Sequence, residues 1–559
     1  MSTVLKSPIF KQIRELVIAA DQQSWEQNIL PRLSDNTELP IEEFEEQNLS
    51  RLDLDLLNRF TRSAPEDTYV VYDRIRKSGE IRNLLDHSPA DSRQLRIVGE
   101  ENARLTFRQF RTRDFGAVVE ALEPYHADLI HPLFGLFKGH YRGIADSMPL
   151  IAFDARLGTR SYDAYGRSST YTESYYTGLL EALERFHGAA APNTRYVRAS
   201  EKELEEADRE YVSMYRFRRY TESQTQMETF AFDAYSTDKS LKWRQAYDYG
   251  NRRNTLVPEQ VAYFSGEHLE RFDPEPRYLA ETSNGTAIGS SWEEAVAASL
   301  LEVVERDSFL VHWYTRSQPL RIEGTDRLAD EDIRLMLAYL EMLDYQTNIF
   351  DITLESGIPA YWVLLEYVGE DPDSLAFYTA AGANPNPISA IRSALVEAST
   401  SIKVFKSYMY DKYTPFELEE LKSDYSKVSR LEDHLYLYSS VSMKPHLEFA
   451  LQTDRVEPIE KNIARRSMPA DPMAREELLD RLLKPLLQYH PDIYISDLSH
   501  SFLTDMGLSC TKIHVPSLQN IGFGMQYQNI NRERLEQAIR LNGLDGSSAA
   551  SQEVPHPFP

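Results

Sequence analysis

At 559 residues, with 26% charged side chains and a formal charge of −26, the chain has the composition of an ordinary globular protein and length for several domains. The acidic balance argues against nucleic acid or an anionic membrane as partner, because phosphate contacts need basic patches. A lone cysteine, Cys510, excludes an internal disulfide and any multi-cysteine zinc site, and suits a reducing cytoplasm.

The opening MSTVLKSPIFKQIREL has no apolar h-region, and no run of roughly 18 apolar residues occurs, so a soluble, cytoplasmic protein is expected. Residues 1–125 read as a separate, smaller α/β appendage of unknown role. Helical spacing covers 9–33, leucines alternate with acids over 38–55, 69–72 is strand-like, and 108–113 is a small basic cluster. From about 128 strands alternate with long helices, and 126–542 is taken as the main domain. A strand at 151–153, a turn at 166–169 and a helix at 173–186 lead to an expected surface loop over 188–207. A Tyr/Arg-rich helix is expected over 211–218 and a short strand at 263–264. A Gly/Ser/Asn-rich turn at 282–291 runs directly into a second helix. Strands follow at 361–367 and 377–381, then a helix over 388–408 that carries Glu397. Further strands are expected at 492–495 and 510–515, and a helix at 532–541. Residues 543–559 form a tail: a Gly/Ser-rich linker, then Pro555-His556-Pro557-Phe558-Pro559, whose alternating prolines hold an extended rod. Solvent exposure is expected of His556. The remaining histidines lack metal-ligand spacing and read as structural, Trp292 and Trp313 as core, and Cys510 as a buried inert thiol.

One phrase occurs twice. Leu179-Leu180-Glu181-Ala182-Leu183-Glu184-Arg185 returns as Leu300-Leu301-Glu302-Val303-Val304-Glu305-Arg306. On a helix, carboxylates three residues apart share one face, and an arginine follows each pair. In the first copy Ser174, Thr177, Gly178, Glu181, Glu184 and Arg185 fall on one stripe, and Leu179, Leu180, Leu183 and Phe186 on the opposite one. In the second, Glu294, Ala298, Glu302 and Glu305 line up, with Leu300, Val303 and Val304 turned away. Either copy alone is more simply a solvated helix face. Two copies with matching leucines favour a shared site for hard cations and the phosphates that accompany them.

These stretches, together with Gly166-Arg167-Ser168-Ser169, Thr282-Ser283-Asn284-Gly285-Thr286-Ala287-Ile288-Gly289, Ala394-Leu395-Val396-Glu397-Ala398, Ser496-Asp497-Leu498, Val515-Pro516-Ser517-Leu518-Gln519 and the alternating-proline terminus, give the chain a resemblance to the YcaO-domain family. It is most similar to the azoline-forming cyclodehydratases of ribosomal peptide pathways. The resemblance implies an α+β fold, a YcaO-type ATP-binding domain of mixed sheets packed with long helices. It implies ATP and Mg2+ as cofactors, with Glu181, Glu184, Glu302 and Glu305 as metal ligands. Arg167, Ser283, Asn284, Glu294, Arg306 and Glu397 would join them at the nucleotide, and the carboxylate of Pro559 would take the nucleophile's proton. Arg167 stands where many members have lysine, Ser290 where asparagine is frequent, and Ser393 where an arginine is common, with Arg392 next door as a substitute. The implied partners are a ribosomal precursor peptide and an E1-like leader-binding protein, with a later flavin-dependent azoline dehydrogenase left open. A homodimer or hetero-oligomeric complex is the expected assembly. Thioamide or amidine formation on a peptide, and a non-catalytic scaffold, remain as alternatives.

Overall fold

A computed structural model of the chain describes residues 111–558, apart from 131–135, 138, 144, 146, 158–159, 190–195, 229, 265–275, 469–472, 500 and 548–553. The elements expected within 1–110 lie outside the described residues, and Pro559 does too.

Helix α1 (Phe115–Leu122) is capped by Asp114, whose side chain accepts from the Ala117 N–H. It packs beneath a small antiparallel sheet of β1 (His140–Arg142), β2 (Leu150–Leu157) and β3 (Arg160–Arg167), in that order. The first repeat lies on α2 (Tyr171–Ala189), which crosses β2 and β3. Two glycines set that approach. A Cβ on Gly166 would sit 1.6 Å from the Ser174 carbonyl oxygen, and one on Gly178 would sit 2.9 Å from the Gly166 nitrogen. Leu179, Leu183 and Phe186 are buried and Leu180 half-buried, as their stripe predicts, while Thr177 is exposed and Glu181, Glu184 and Arg185 are partly exposed. Ser174 and Gly178 belong with the buried set because the strand comes so close.

The second sheet runs β4 (Val197–Ala199), β5 (Leu241–Asp248), β13 (Tyr494–Asp497), β14 (Ser509–His514), β7 (Thr286–Gly289), with β6 (Arg253–Pro258) also on β5. The third runs β11 (Phe377–Ala383), β10 (Ala360–Tyr367), β9 (Tyr345–Asp351), β8 (Leu320–Glu323), β12 (Val456–Pro458), antiparallel except for the last pair. The second repeat lies on α3 (Trp292–Thr315), N-capped by Ser291, and this helix packs on both sheets. That explains why it is apolar almost all round, Trp313 included. Its partly exposed positions Ala298, Glu302 and Glu305 form one stripe. Helix α4 (Glu331–Met342) covers β9, and α5 (Pro387–Lys412) lies on β10 and β11. The amphipathic α6 (Arg475–Tyr489) and α7 (Arg532–Asn542) close the back of α3. Buried Arg534 of α7 is clamped by Asp307 of α3 at 2.6 Å and by Glu355 at 2.7 Å. The architecture is α+β, mixed sheets packed with long helices. Among the described residues no helix is long and apolar enough to cross a membrane.

Local expectations failed where tertiary pairing intervened. The surface loop expected over 188–207 contains β4 and the helix Glu201–Glu206, which a Ser200/Glu203 capping box starts. The helix expected over 211–218 is an extended run along the edge of β6, where Val212 N–H donates to the Leu256 carbonyl, followed by one 3₁₀ turn, Met214–Arg216. Residues 263–264 are not a strand; they follow a helical turn, Glu259–Ala262, and Phe264 N–H donates to the Gly188 carbonyl. The 282–291 turn enters β7, and only then does Ser291 start α3.

Candidate active site

The open stripes of α2 and α3 face each other. Glu181 accepts from the Tyr165 N–H and from Arg185, both at 3.1 Å. Burial pushes Glu184 up to about 8; Glu302 and Glu181 add repulsion, and Arg185 and a backbone bond from Ile288 only partly offset it. Burial likewise raises Glu305 to about 7, with Glu397 of α5 and Glu302 repelling it against the pull of Arg306. Glu302 is raised by burial too, although Arg306, Arg185, the Gly285 N–H at 3.1 Å and Lys512 all stabilise its charge. Gly285 can make that contact because its φ is +77°, and because a Cβ there would meet the Ile513 carbonyl oxygen at 2.7 Å. Arg306 lies 3.7 Å from Glu305 and 4.0 Å from Glu302.

Arg167, at the end of β3, reaches the same region. Tyr378 of β11 lies between it, Arg306 and Glu397, and burial and then Glu397 lift the phenol above its ordinary range. The buried Nε of Arg167 has no hydrogen-bond partner among the described residues. Ser283 and Asn284 form the turn before Gly285, closed by the Thr286 N–H on the Ser283 carbonyl, and Asn284 donates to Asn520. Glu294 is placed otherwise. It lies two turns before Glu302 on α3 and accepts from Ser290 at 2.6 Å and from both the N–H and hydroxyl of Thr112 at 2.9 Å, with Arg111 at 3.7 Å. Arg392, beside Ser393, pairs with Asp330.

Lys512 escaped the sequence reading. It donates to the Thr282 carbonyl at 2.7 Å, and burial lowers it to about 8 against the pull of Glu281 and Glu302. Its one signal was a cation within a stretch expected to be a strand, 510–515. Cys510 on the same strand is buried and its thiol is raised well above the usual range, as expected of an inert thiol.

The tail ends in this site. Prolines contribute carbonyls and no N–H, and each carbonyl from 555 to 557 meets a side-chain donor. Tyr438 donates to the Pro555 carbonyl at 2.7 Å, His434 Nδ1 to that of His556 at 2.9 Å, and Thr379 to that of Pro557 at 3.4 Å. The second nitrogen of His434 accepts from the Gly524 N–H, which fixes the neutral tautomer. His556 stacks on His434 at 4.3 Å and bonds the Gly522 carbonyl, fully buried and not exposed as expected. The start of the linker is pinned at 545–547, since Asp545 accepts from the Gln318 N–H and Ser547 N–H donates to the Thr315 carbonyl. Phe558 packs against Phe309 at 4.8 Å, and Arg306 lies 4.2 Å over its ring.

Among known proteins, the family described as "YcaO cyclodehydratase, ATP-ad Mg2+-binding" matches residues 165–519. An uncharacterised curated protein of Methanothermobacter thermautotrophicus is 21% identical over 383 residues, 67% of this chain and 84% of that protein. A solved structure described as "Heterocyclase in complex with substrate and Cofactor" superposes with a TM-score of 0.62 at 19% identity, over 86% of this chain; the chain spans 61% of that one. YcaO from Methanopyrus kandleri bound with AMPPCP and Mg2+ superposes with a TM-score of 0.52 at 16% identity, over 73% of this chain and 92% of that one. At such identities the structures bear on fold alone. The family match covers more than half of the chain and runs through α2, α3 and α5. The chain belongs to the YcaO family, with ATP and Mg2+ as its cofactors.

Proposed function

We propose that the chain is an ATP-dependent cyclodehydratase converting Cys, Ser or Thr residues of a ribosomal precursor peptide to thiazolines or oxazolines. The observation that carries this is the meeting of two E-x-x-E-R helices with the chain's own C-terminal segment, Phe558 lying under Arg306. The cluster's chemistry fits both cofactors. Glu184 and Glu305 are protonated too readily for carboxylates with sufficient cationic partners, and Arg167 keeps a buried donor free. Among the described residues no three acidic, histidine or cysteine side chains converge to enclose a cation alone. Mg2+ shares its coordination with phosphates and water.

Glu181, Glu184, Glu302 and Glu305 hold Mg2+ in this reading, and Arg167, Ser283, Asn284, Arg306 and Glu397 contact the nucleotide, while Glu294 is taken up by Ser290 and Thr112. Bound Mg2+ supplies charge neutralisation at the triphosphate. The substrate's side-chain S–H or O–H adds to the preceding amide carbon, and the Pro559 carboxylate takes its proton. The amide oxygen accepts the γ-phosphoryl group, then leaves as phosphate while the nitrogen loses its proton and the C=N bond forms. Arg306 and Arg167 stabilise the transferring charge. The peptide arrives with a separate E1-like leader-binding protein in a cytoplasmic complex, and a flavin-dependent dehydrogenase follows where azolines are oxidised.

The test is mass spectrometry of precursor peptides incubated with protein, ATP and Mg2+, with calorimetry of nucleotide binding. One water lost per ring with one ADP and one phosphate released supports the reading, as does loss of nucleotide binding in Glu302→Gln. A chain ending at Phe558 keeps the seated segment and moves the terminal carboxylate, so it should bind nucleotide and form few rings. Modification without loss of water would overturn the reading, and unchanged ring formation by the shortened chain would remove the proposed proton acceptor.

A further inference from the structure

A cleft of about 1190 Å³ opens between residues 215–227 and α7. It exceeds the ~300–1,000 Å³ of common small-molecule pockets. Its charge opposes that of the molecule: in a chain of −26, Arg216, Arg219, Arg532, Arg534 and Arg540 line it, against Glu533. Arg534 is spoken for by Asp307 and Glu355, and Arg216 by Asp492 at 2.7 Å. Arg219 differs. Its guanidinium donates to a carbonyl, that of Pro516, at 2.5 Å, and burial, with Arg216 beside it and Glu533 opposing, holds it below the usual arginine range. A half-buried guanidinium so placed gains from a carboxylate brought to it. Arg532 and Arg540 stand exposed on α7, and the first turn of that helix, which lines the cleft, adds its partial positive charge.

The rest of the lining suits a peptide. Tyr215 and Met227 are 49% and 47% exposed at the rim, and tyrosine, methionine and arginine are the side chains that protein interfaces favour. Tyr220 is shared with a smaller cavity lined by Asn284 and Lys512, the residues that border Glu302. Tyr220 therefore stands between the cleft and the approach to the carboxylate cluster.

We propose that this cleft seats an acidic stretch of the substrate peptide along α7, while the residues to be modified pass Tyr220 toward the cluster. The proposal rests on the peptide-modifying reading above. The test uses the full chain without ATP and follows the fluorescence anisotropy of a fluorescein-labelled peptide of Glu-Gly-Leu repeats. Expected are saturable binding that weakens with salt, and about tenfold weaker binding of the Gln-Gly-Leu counterpart. Arg532→Glu with Arg540→Glu should lose about as much, with nucleotide binding unchanged; Arg219→Gln should lose affinity at an unchanged thermal midpoint. Equal binding of both peptides, no effect of the paired reversals, or tighter binding of a single-stranded oligonucleotide would overturn the proposal. Charge-dependent peptide binding by a protein that forms no rings would support the cleft and defeat the cyclodehydration reading. Ring formation alongside charge-independent binding would do the reverse.

Discussion

The carboxylate cluster and the seat of the tail lie on either side of Arg306, and they treat buried polarity in opposite ways. In the seat, three carbonyls meet three donors, and burial holds both histidines neutral against bonds to backbone that favour their charged forms. In the cluster, Glu184, Glu302, Glu305 and Glu397 carry like charge, and the nearby cations and N–H groups leave three of them with raised proton affinity. A region whose backbone carbonyls are met and whose histidines stay neutral is finished by folding itself. One that holds surplus like charge is finished by a ligand. Substitutions in the two should therefore move stability in different directions.

The largest effect on folding should come from Phe558→Ala, since this ring is fully buried against Phe309. Chemical denaturation should show a loss of about 3–5 kcal/mol. A loss below about 1 kcal/mol would mean that the terminal segment is not packed as described. Glu302→Gln should act on turnover: ATP hydrolysis coupled to peptide should fall about 10²–10³-fold. The same variant should leave the ligand-free thermal midpoint unchanged or raised, because it removes a buried charge that its surroundings disfavour. If it melted as early as Phe558→Ala, the contrast between the regions would vanish.

Protons sharpen the contrast further. Glu184 and Glu305 have folded values above their ordinary 4.5, so the folded state binds more protons, and ligand-free stability declines as pH rises from 4.5 through about 7 and 8. Mg2+ with nucleotide takes the proton's place. Its affinity should rise over that window and its binding should release protons, measurable by calorimetry in buffers of different ionisation enthalpy. The seat runs the other way. His434, lowered to about 4 by burial, and His556, also lowered by burial, stabilise the fold above 6.5, and that contribution fades as pH falls from 6.5 toward 4. Asp433 moderates the shift of His434, whereas Arg306 deepens that of His556. A chain shortened before Pro555 should lack the acid-side loss and keep the proton release.

The cluster was largely legible in the sequence because helical spacing is local: a repeated E-x-x-E-R with matching leucines fixes which side chains share a face before any partner is known. Two of the five described strands of the third sheet were legible for the same reason, as mainly apolar runs expected at 361–367 and 377–381 and found at 360–367 and 377–383. What was lost is long-range. Lys512 enters the site through the pairing of β14 with β7, more than 200 residues apart, and the edge of β6 straightens 211–213, where tyrosine and arginine spacing suggested a helix. His556 was read as exposed because a proline-rich end looks solvated, and only the histidine, tyrosine and threonine donors of distant elements make it a core segment.

The smallest expected effect tests whether the two regions are separate units at all. The Tyr438 hydroxyl is buried and donates to the Pro555 carbonyl at 2.7 Å. Tyr438→Phe keeps the ring and leaves that carbonyl without its donor, at a cost of about 1 kcal/mol. Pro555 lies three residues before the ring that Arg306 covers, so the lost bond should slacken the start of the rod and leave Phe558 in place. Nucleotide affinity measured by calorimetry should therefore stay within about twofold of the parent chain, while the denaturation midpoint falls. A parallel loss of nucleotide affinity would instead mean that the seat transmits its strain through Arg306 to the carboxylates, joining the two regions into one coupled element.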